Sequence, residues 1–409
     1  MFFNLILKYL MNIMNINVTH NKLVHYTMYD YYNEDKRYTP YLWTSSYGLL
    51  TLIHNKHSKK EIKKYIRYVH ITLGSFEGTK LSTQIYKSLN WRKSLTNEKI
   101  MLVNHSVKGL VPIYGGLRIG KAEQGKEPGI YIHYITKWVY SLIKASQHLN
   151  DSRYLYQACH LMLTLCEKNM DYHDRSNEFY YPRKMNVSLT APIQTSEISR
   201  DPLDVFITLN TLILNLRQTS KINTLSTPTN NVYKHILLDY LETSSKRVHE
   251  YLDNPSRLYT NDPLGIGFLL TSCLKIRKLI ELSKSHIFIT KYISLEELYK
   301  LYEILLDNSL RALRACNFHR HKANNDGYRW FGICIGLEAI NILFYNYINN
   351  YIDKDKYFKQ VKIMMGFYNL KRFIRENFMT YSYNYGNWDA HKDINIVMFF
   401  NTEYPILSL

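Results

Sequence analysis

Two aspartates with the same following residues carry the first chemical signal in this chain. Asp201 and Asp262 both precede Pro-Leu and an apolar run, in Arg200-Asp-Pro-Leu-Asp-Val-Phe and Asn261-Asp-Pro-Leu-Gly-Ile-Gly. Glycoside hydrolysis needs two carboxyl groups roughly 5–9.5 Å apart, one as general acid and the other as base or nucleophile. The same residues also have a plainer use, because Asp is a favoured N-cap and Pro is favoured at the first helical position. Asp204 stands where a capping-box acid would. Glu127 and Asp393 are the further acids able to complete a catalytic pair. Asp393 lies with Asp389, His391 and Asn395 in a polar run before Ile396–Phe400, which also reads as the cap of a last helix.

The densest grouping of cations, aromatics and small residues is Tyr114–Trp138, YGGLRIGKAEQGKEPGIYIHYITKW. Gly115 to Lys121 has the GxxxxGK spacing of a phosphate-binding loop, but Ala122 follows and has no oxygen for magnesium. Pro112 interrupts the preceding apolar run, and Gly125, Pro128 and Gly129 break the helix that should come next. A nucleotide triphosphatase is therefore not expected. Two readings of the loop remain. Its amides, Arg118 and Lys121 hold a carboxylate, phosphate or sugar hydroxyl, or it is a tight turn with Arg118 bonded to helix-end carbonyls. After the loop, a spacing of four puts His133 and Lys137 on one helical face and Tyr134 and Trp138 on the adjacent one. Tryptophan and tyrosine offer a sugar ring stacking surfaces with polar tips; the alternative is a core tryptophan with a core histidine. The substrate-binding candidates are Arg118, Lys121, Tyr131, His133, Lys137, Trp138 and His391. His133 is also a candidate base for an isomerase or lyase. No HExxH, paired Cys/His spacing or GxSxG occurs, so neither a metal site nor a serine hydrolase is expected, and no cofactor is implied.

Helices must position these groups. With only 16 Gly and 10 Pro in 409 residues, the chain lacks the punctuation of a many-turned β fold. Apolar residues at i, i+3, i+4 and i+7 mark a helical hairpin over Tyr134–Cys166, turning at His148–Arg153. Ser294 and Glu297 form a capping box at the head of another helix. Further helices are predicted at Pro40–Ile53, Lys60–Thr72, Pro202–Leu216, Val232–Leu252, Pro263–Ser283, Tyr328–Ile348 and Tyr357–Phe378. The polar stretch Gln218–Asn231 is read as a surface loop. Gly332 and Gly336 share one helical face, which allows a neighbouring backbone to come close. The recurring Asp-Pro-Leu suggests stacked helical hairpins, as in solenoids and closed toroids.

Composition bounds the function classes. A hydrophobic content of 46% and 14% aromatics suffice for a sizeable core. The formal net charge of +18 is spread along the chain and accompanies no nucleic-acid module, so it is read as a solvated basic surface rather than a specific nucleic-acid site. Five cysteines, an odd number without a CxxC pair, fit a reducing compartment and a cytoplasmic location. The apolar N-terminus lacks a basic n-region and a cleavage site, and Lys8 interrupts it. Residues 1–20 are read as an N-terminal extension, and no segment of membrane-spanning length is expected.

GGLRIGK followed by HYITKW, DPLD, DPLGIG and DIN resembles a group of microbial proteins in the six-hairpin glycosidase superfamily. The resemblance spans about Val69–Met398, specific in these islands and weak between them. It implies an all-α fold, an (α/α)6 toroid forming one domain over 1–409, and action on or binding of a carbohydrate. It falls on Arg118, Lys121, His133, Lys137, Trp138, Asp201, Asp262, Asp393 and Asn395. The loop Ala122–Gly129 departs from the group's pattern. It is shortened, keeps only Glu123 and Glu127 as acids, and has Pro128 and Ile130 where acidic and amide residues are expected. The leading expectation is a glycoside hydrolase-like protein, with a non-catalytic binder of an anionic polymer or glycan, or a histidine-based sugar isomerase or lyase, as alternatives.

Overall fold

A computed structural model describes residues 41–76, 79–80, 116–120, 129–169, 181–187, 189, 191–195, 200–222, 227–286, 289–316, 327–349, 351–352, 354–384 and 392–402. Most of these residues are helical, as expected of an all-α chain. They pack as two compact units. The first comprises Asn33–Asp253 with Lys291–Ile293, the second Asn254–Thr290 with Ser294–Leu409.

In the first unit the helices are α1 (Leu42–His54), α2 (Lys59–Leu73), α3 (Ile132–Leu149), α4 (Ser152–Asn169), α5 (Asp201–Ile222) and α6 (Thr227–Asp253). Sequence neighbours pair as hairpins, α1 with α2, α3 with α4 and α5 with α6, while the alternate helices α1, α3 and α5 pack side by side. The expected hairpin is present, and Asn150 turns it in the left-handed conformation, φ 52°. The core stripes predicted for it are buried, with Leu142, Ala145, Ala158, Cys159 and Met162 all fully enclosed. The stretch read as a loop over Gln218–Asn231 is shorter than expected, because α5 runs to Ile222 and α6 starts at Thr227. Short strands were not foreseen. Ser75–Phe76 (β1) pairs with Thr79–Lys80 (β2), and Gly129–Tyr131 (β3), Lys184–Asn186 (β4) and Pro192–Gln194 (β5) form an antiparallel sheet in the order β3-β4-β5.

The second unit holds α7 (Pro263–Ser283), α8 (Leu295–Ala315), α9 (Gly327–Ile348), α10 (Phe358–Met365), α11 (Asn369–Asn384) and α12 (Lys392–Asn401). The same alternation recurs, with α7 against α9 and α9 against α12. Gly332 and Gly336 do what their spacing predicts. A Cβ on Gly336 would lie 2.9 Å from the Gly267 backbone, so α7 and α9 touch main chain to main chain. Helix α9 is long and apolar enough to cross a membrane, which the sequence reading did not anticipate. Here its glycine face is packed against α7.

The helix expected over Tyr357–Phe378 is two helices. Between Gly366 and Lys371 five amides bond to carbonyls three residues back, Gly366 to Ile363, Phe367 to Met364, Tyr368 to Met365, Leu370 to Phe367 and Lys371 to Tyr368. This tighter winding ends α10 and restarts the chain as α11. The capping box of α8 forms as predicted, with Ser294 Oγ accepting from Glu297 N at 3.1 Å and Glu297 accepting from Ser294 N at 2.7 Å. Ser294→Ala should therefore lower stability by about 1 kcal/mol in urea denaturation. All five cysteines are free thiols, four of them buried. Burial pushes the half-buried Cys316 thiol up to about 11, which leaves it protonated and unreactive at neutral pH.

Candidate functional site

The glycine loop is a structural connector where it is described. Residues 116–120 are tied to three elements: Leu42 N–H donates to Ile119 O, Arg118 N–H to Leu73 O, and Ile119 N–H to Gly129 O. Gly116 and Gly120 both have positive φ, 60° and 94°, which explains glycine at these two positions. The Arg118 guanidinium is buried and donates to Thr72 O at 2.7 Å, on the last turn of α2. Of the two readings of this arginine, the helix-end carbonyl is the one observed. A cation there also complements the negative end of the α2 dipole. Lys121 and Glu127 lie outside the described residues, as does His391.

The loop delivers the chain to β3 and thence to the first turns of α3, where candidate residues gather. Tyr131 ends β3, and its ring stacks on that of His133 with centroids 5.3 Å apart. Tyr134 and Trp43 close around the same imidazole at 4.7 Å and 6.0 Å. Tyr41 bonds hydroxyl to hydroxyl with Tyr134. Lys137, one turn after His133, holds its ammonium 4.9 Å from the Trp43 ring centroid, a cation–π contact. Trp138 points the other way. It is fully buried, and its Nε1 donates to His70 Nε2 at 2.9 Å. It offers a ligand no stacking face, so the core-tryptophan alternative describes it.

Helix α5 brings acids to this grouping. Asp201 heads the helix and is completely buried, with Oδ2 3.6 Å from His133 Nδ1. This is ion-pair distance but too long for a hydrogen bond. Neither Asp201 oxygen, nor His133 Nδ1, has a hydrogen-bond partner. The cap predicted for Asp201 is thus not made, even though the helix begins there. A buried carboxylate without hydrogen bonds is expensive, and what this structure sets beside it is the positive end of α5 and the His133 ring at 3.6 Å. Asp204 likewise is not a capping-box acid. It is buried, and its Oδ2 accepts from Thr136 Oγ1 at 2.5 Å. His133 and Thr136 on α3 therefore face Asp201 and Asp204 on α5, each pair three residues apart on its own helix. The Tyr47 hydroxyl from α1 is driven to a raised pKa, first by burial and then by the Asp204 charge.

Asp262 belongs to the second unit and plays the other part of the Asp-Pro-Leu motif. Its Oδ2 accepts from Gly265 N at 2.9 Å, a true N-cap, and its Oδ1 pairs with Arg329 at 2.6 Å. Asn395, from the C-terminal segment, accepts from Tyr328 N at 2.6 Å and so caps α9. Asp393 lies in the first turn of α12. His133, Asp201, Asp262 and Asn395 thus sit at the N-terminal ends of α3, α5, α7 and α12, whereas Arg118 lies against the C-terminal end of α2. Among the described residues, no group of three or more His, Cys, Asp or Glu could hold a metal ion. The sequence reading missed Thr136, Tyr47 and Trp43. A usable signal existed for Thr136 alone, which repeats the Asp201–Asp204 spacing from His133.

No family model, no curated protein and no solved structure matches this chain.

Proposed function

We propose that this chain is a carbohydrate-active protein on an (α/α)6 toroid, and that it works by proton transfer through His133, with Asp201 behind it, in an isomerase- or lyase-type reaction. The observation that carries the reading is the fully buried, unbonded Asp201 carboxylate 3.6 Å from His133 Nδ1. In this scheme His133 Nε2 removes a proton from a carbon next to a carbonyl or carboxylate. The imidazolium so formed is balanced by the Asp201 charge, while the packed rings of Tyr131, Tyr134 and Trp43 hold the imidazole in place. The alternate-helix packing repeated in both units supports the toroid, as does the resemblance of the GGLRIGK, HYITKW, DPLGIG and DIN islands to the six-hairpin glycosidase superfamily. Asp262, held by a helix amide and an arginine, is less suited to the two-carboxylate hydrolysis that the sequence first suggested.

The test is a turnover screen of uronate oligosaccharides, neutral oligosaccharides and free aldoses. Lyase product is read by ultraviolet absorbance of the unsaturated uronyl group, isomers by NMR, and hydrolysis by new reducing ends. On a substrate that is turned over, His133→Ala is expected to slow the reaction roughly a hundredfold, and Asp201→Asn to slow it with little change in KM. Reducing-end release that is indifferent to His133→Ala but lost in Asp262→Asn would overturn the histidine reading in favour of hydrolysis. Glycan binding without any turnover would leave a binder on the same scaffold.

A further inference from the structure

We infer that the second unit carries a docking face for an anionic membrane surface, built on the outer side of α10 and α11 and the end of α9; the inference is independent of the reading of His133. Of the six exposed large hydrophobic residues among the described residues, five fall in one stretch: Tyr345, Ile348, Tyr351, Ile363 and Phe373, exposed by 62%, 48%, 74%, 38% and 40%. The same stretch, Tyr345–Glu376, has seven Lys and Arg against three acids. Asp355 is taken by Arg277 at 2.8 Å. Among the seven cations, Arg372 pairs with Glu376 at 2.8 Å, Lys356 with Glu303 at 2.9 Å and Lys371 with Glu338 at 2.6 Å, which leaves Lys354, Lys359 and Lys362 as the lysines without an ion pair among the described residues.

The break at Gly366 sets up the face. On α10 and α11 the inward positions are Val361, Met364 and Ile374, all buried. The outward positions are Lys359, Lys362 and Ile363 on α10, and Arg372 and Phe373 on α11. On α10, Lys359, Lys362 and Ile363 follow the i, i+3, i+4 spacing of one helical side, and on α11 Arg372 and Phe373 are adjacent exposed residues. Lys359 and Lys362 have no acidic partner among the described residues. Exposed apolar side chains near the unpaired Lys359 and Lys362 suit a surface with negative headgroups outside and hydrocarbon just beneath. A soluble polyanion would engage the cations but gain nothing from Ile363 and Phe373. A second copy of the chain would set one basic face against another.

The full chain is tested by co-sedimentation with vesicles of equal parts phosphatidylserine and phosphatidylcholine, and with phosphatidylcholine alone. Binding is expected to the anionic vesicles only, weakening with salt. The double substitution Ile363→Ser with Phe373→Ser should cut it at least about tenfold. Lys359→Gln with Lys362→Gln should cut it about tenfold and flatten the salt dependence. All four side chains are exposed, and circular dichroism melts check that each variant folds. No binding to anionic vesicles overturns the inference. So does binding that survives the apolar pair but not the lysine pair, which identifies a polyanion contact. A dimer in sedimentation velocity that only the apolar pair abolishes also overturns it, by identifying self-association.

Discussion

Gly267→Ala is expected to destabilise the protein by about 3 kcal/mol or more, since its added methyl would meet backbone more closely than at Gly327, Gly332, Gly336 or Gly366. An added Cβ at this position would sit 2.0 Å from Gly332 O and 2.3 Å from Gly332 C. These are backbone atoms of α9, so no rotamer change relieves the collision, and the helices must separate along their whole crossing. Separation would open space around Leu270, Ile266, Phe331 and Ile335, all buried in the same unit. The cost therefore combines overpacking at the contact with lost packing beside it. Gly332→Ala meets the Leu264 backbone at 3.0 Å, a milder clash, and should cost less. Urea denaturation of the three proteins checks both the size and the order. A Gly267→Ala protein with an unchanged midpoint would show that α7 and α9 are not in main-chain contact.

That contact was legible in the sequence from one side only. Gly332 and Gly336 announce a close approach by their spacing, but nothing local says that Gly267 is the partner, because the pairing spans more than sixty positions. The same limit governs the candidate site. The helix stripes, the Ser294–Glu297 capping box and the Asp-Pro-Leu helix starts follow from local chemistry and are found where expected. The juxtaposition of His133 with Asp201 depends on α3 packing against α5, which no window of sequence contains. Asp201 and Asp262 make the point most clearly. Their neighbours are alike, yet one carboxylate caps its helix and binds Arg329 while the other is buried without a hydrogen bond. A motif specifies that a helix starts, and tertiary packing specifies what its first carboxylate does. The split between α10 and α11 was hidden for a related reason. The apolar spacing carries on through Gly366, and only a change in hydrogen-bond register marks the break.

Between pH 6.5 and pH 3 the protein is expected to lose stability through His70, by about 1.4 kcal/mol per pH unit from this one group. His70 is 1% exposed, and its Nε2 accepts the Trp138 indole proton at 2.9 Å. A nitrogen that accepts cannot carry a proton, so the ring is neutral with its hydrogen on Nδ1. Protonation would set an N–H against the indole N–H and strand a charge in the core. Burial accordingly pushes the pKa from 6.5 down to about 3. In that window the unfolded chain holds a proton that the folded chain refuses. The contribution is therefore complete above pH 6.5 and is lost progressively as pH falls toward 3. Two units into the window the loss is roughly 3 kcal/mol. His70→Gln isolates the effect, because its amide oxygen still accepts from Trp138 but does not titrate. Denaturation midpoints measured across the window should fall more steeply for wild type than for His70→Gln, while the carboxylates that titrate in both proteins cancel in the difference. Parallel curves would mean that His70 is protonated in the folded protein, and that the Trp138 hydrogen bond does not hold it neutral.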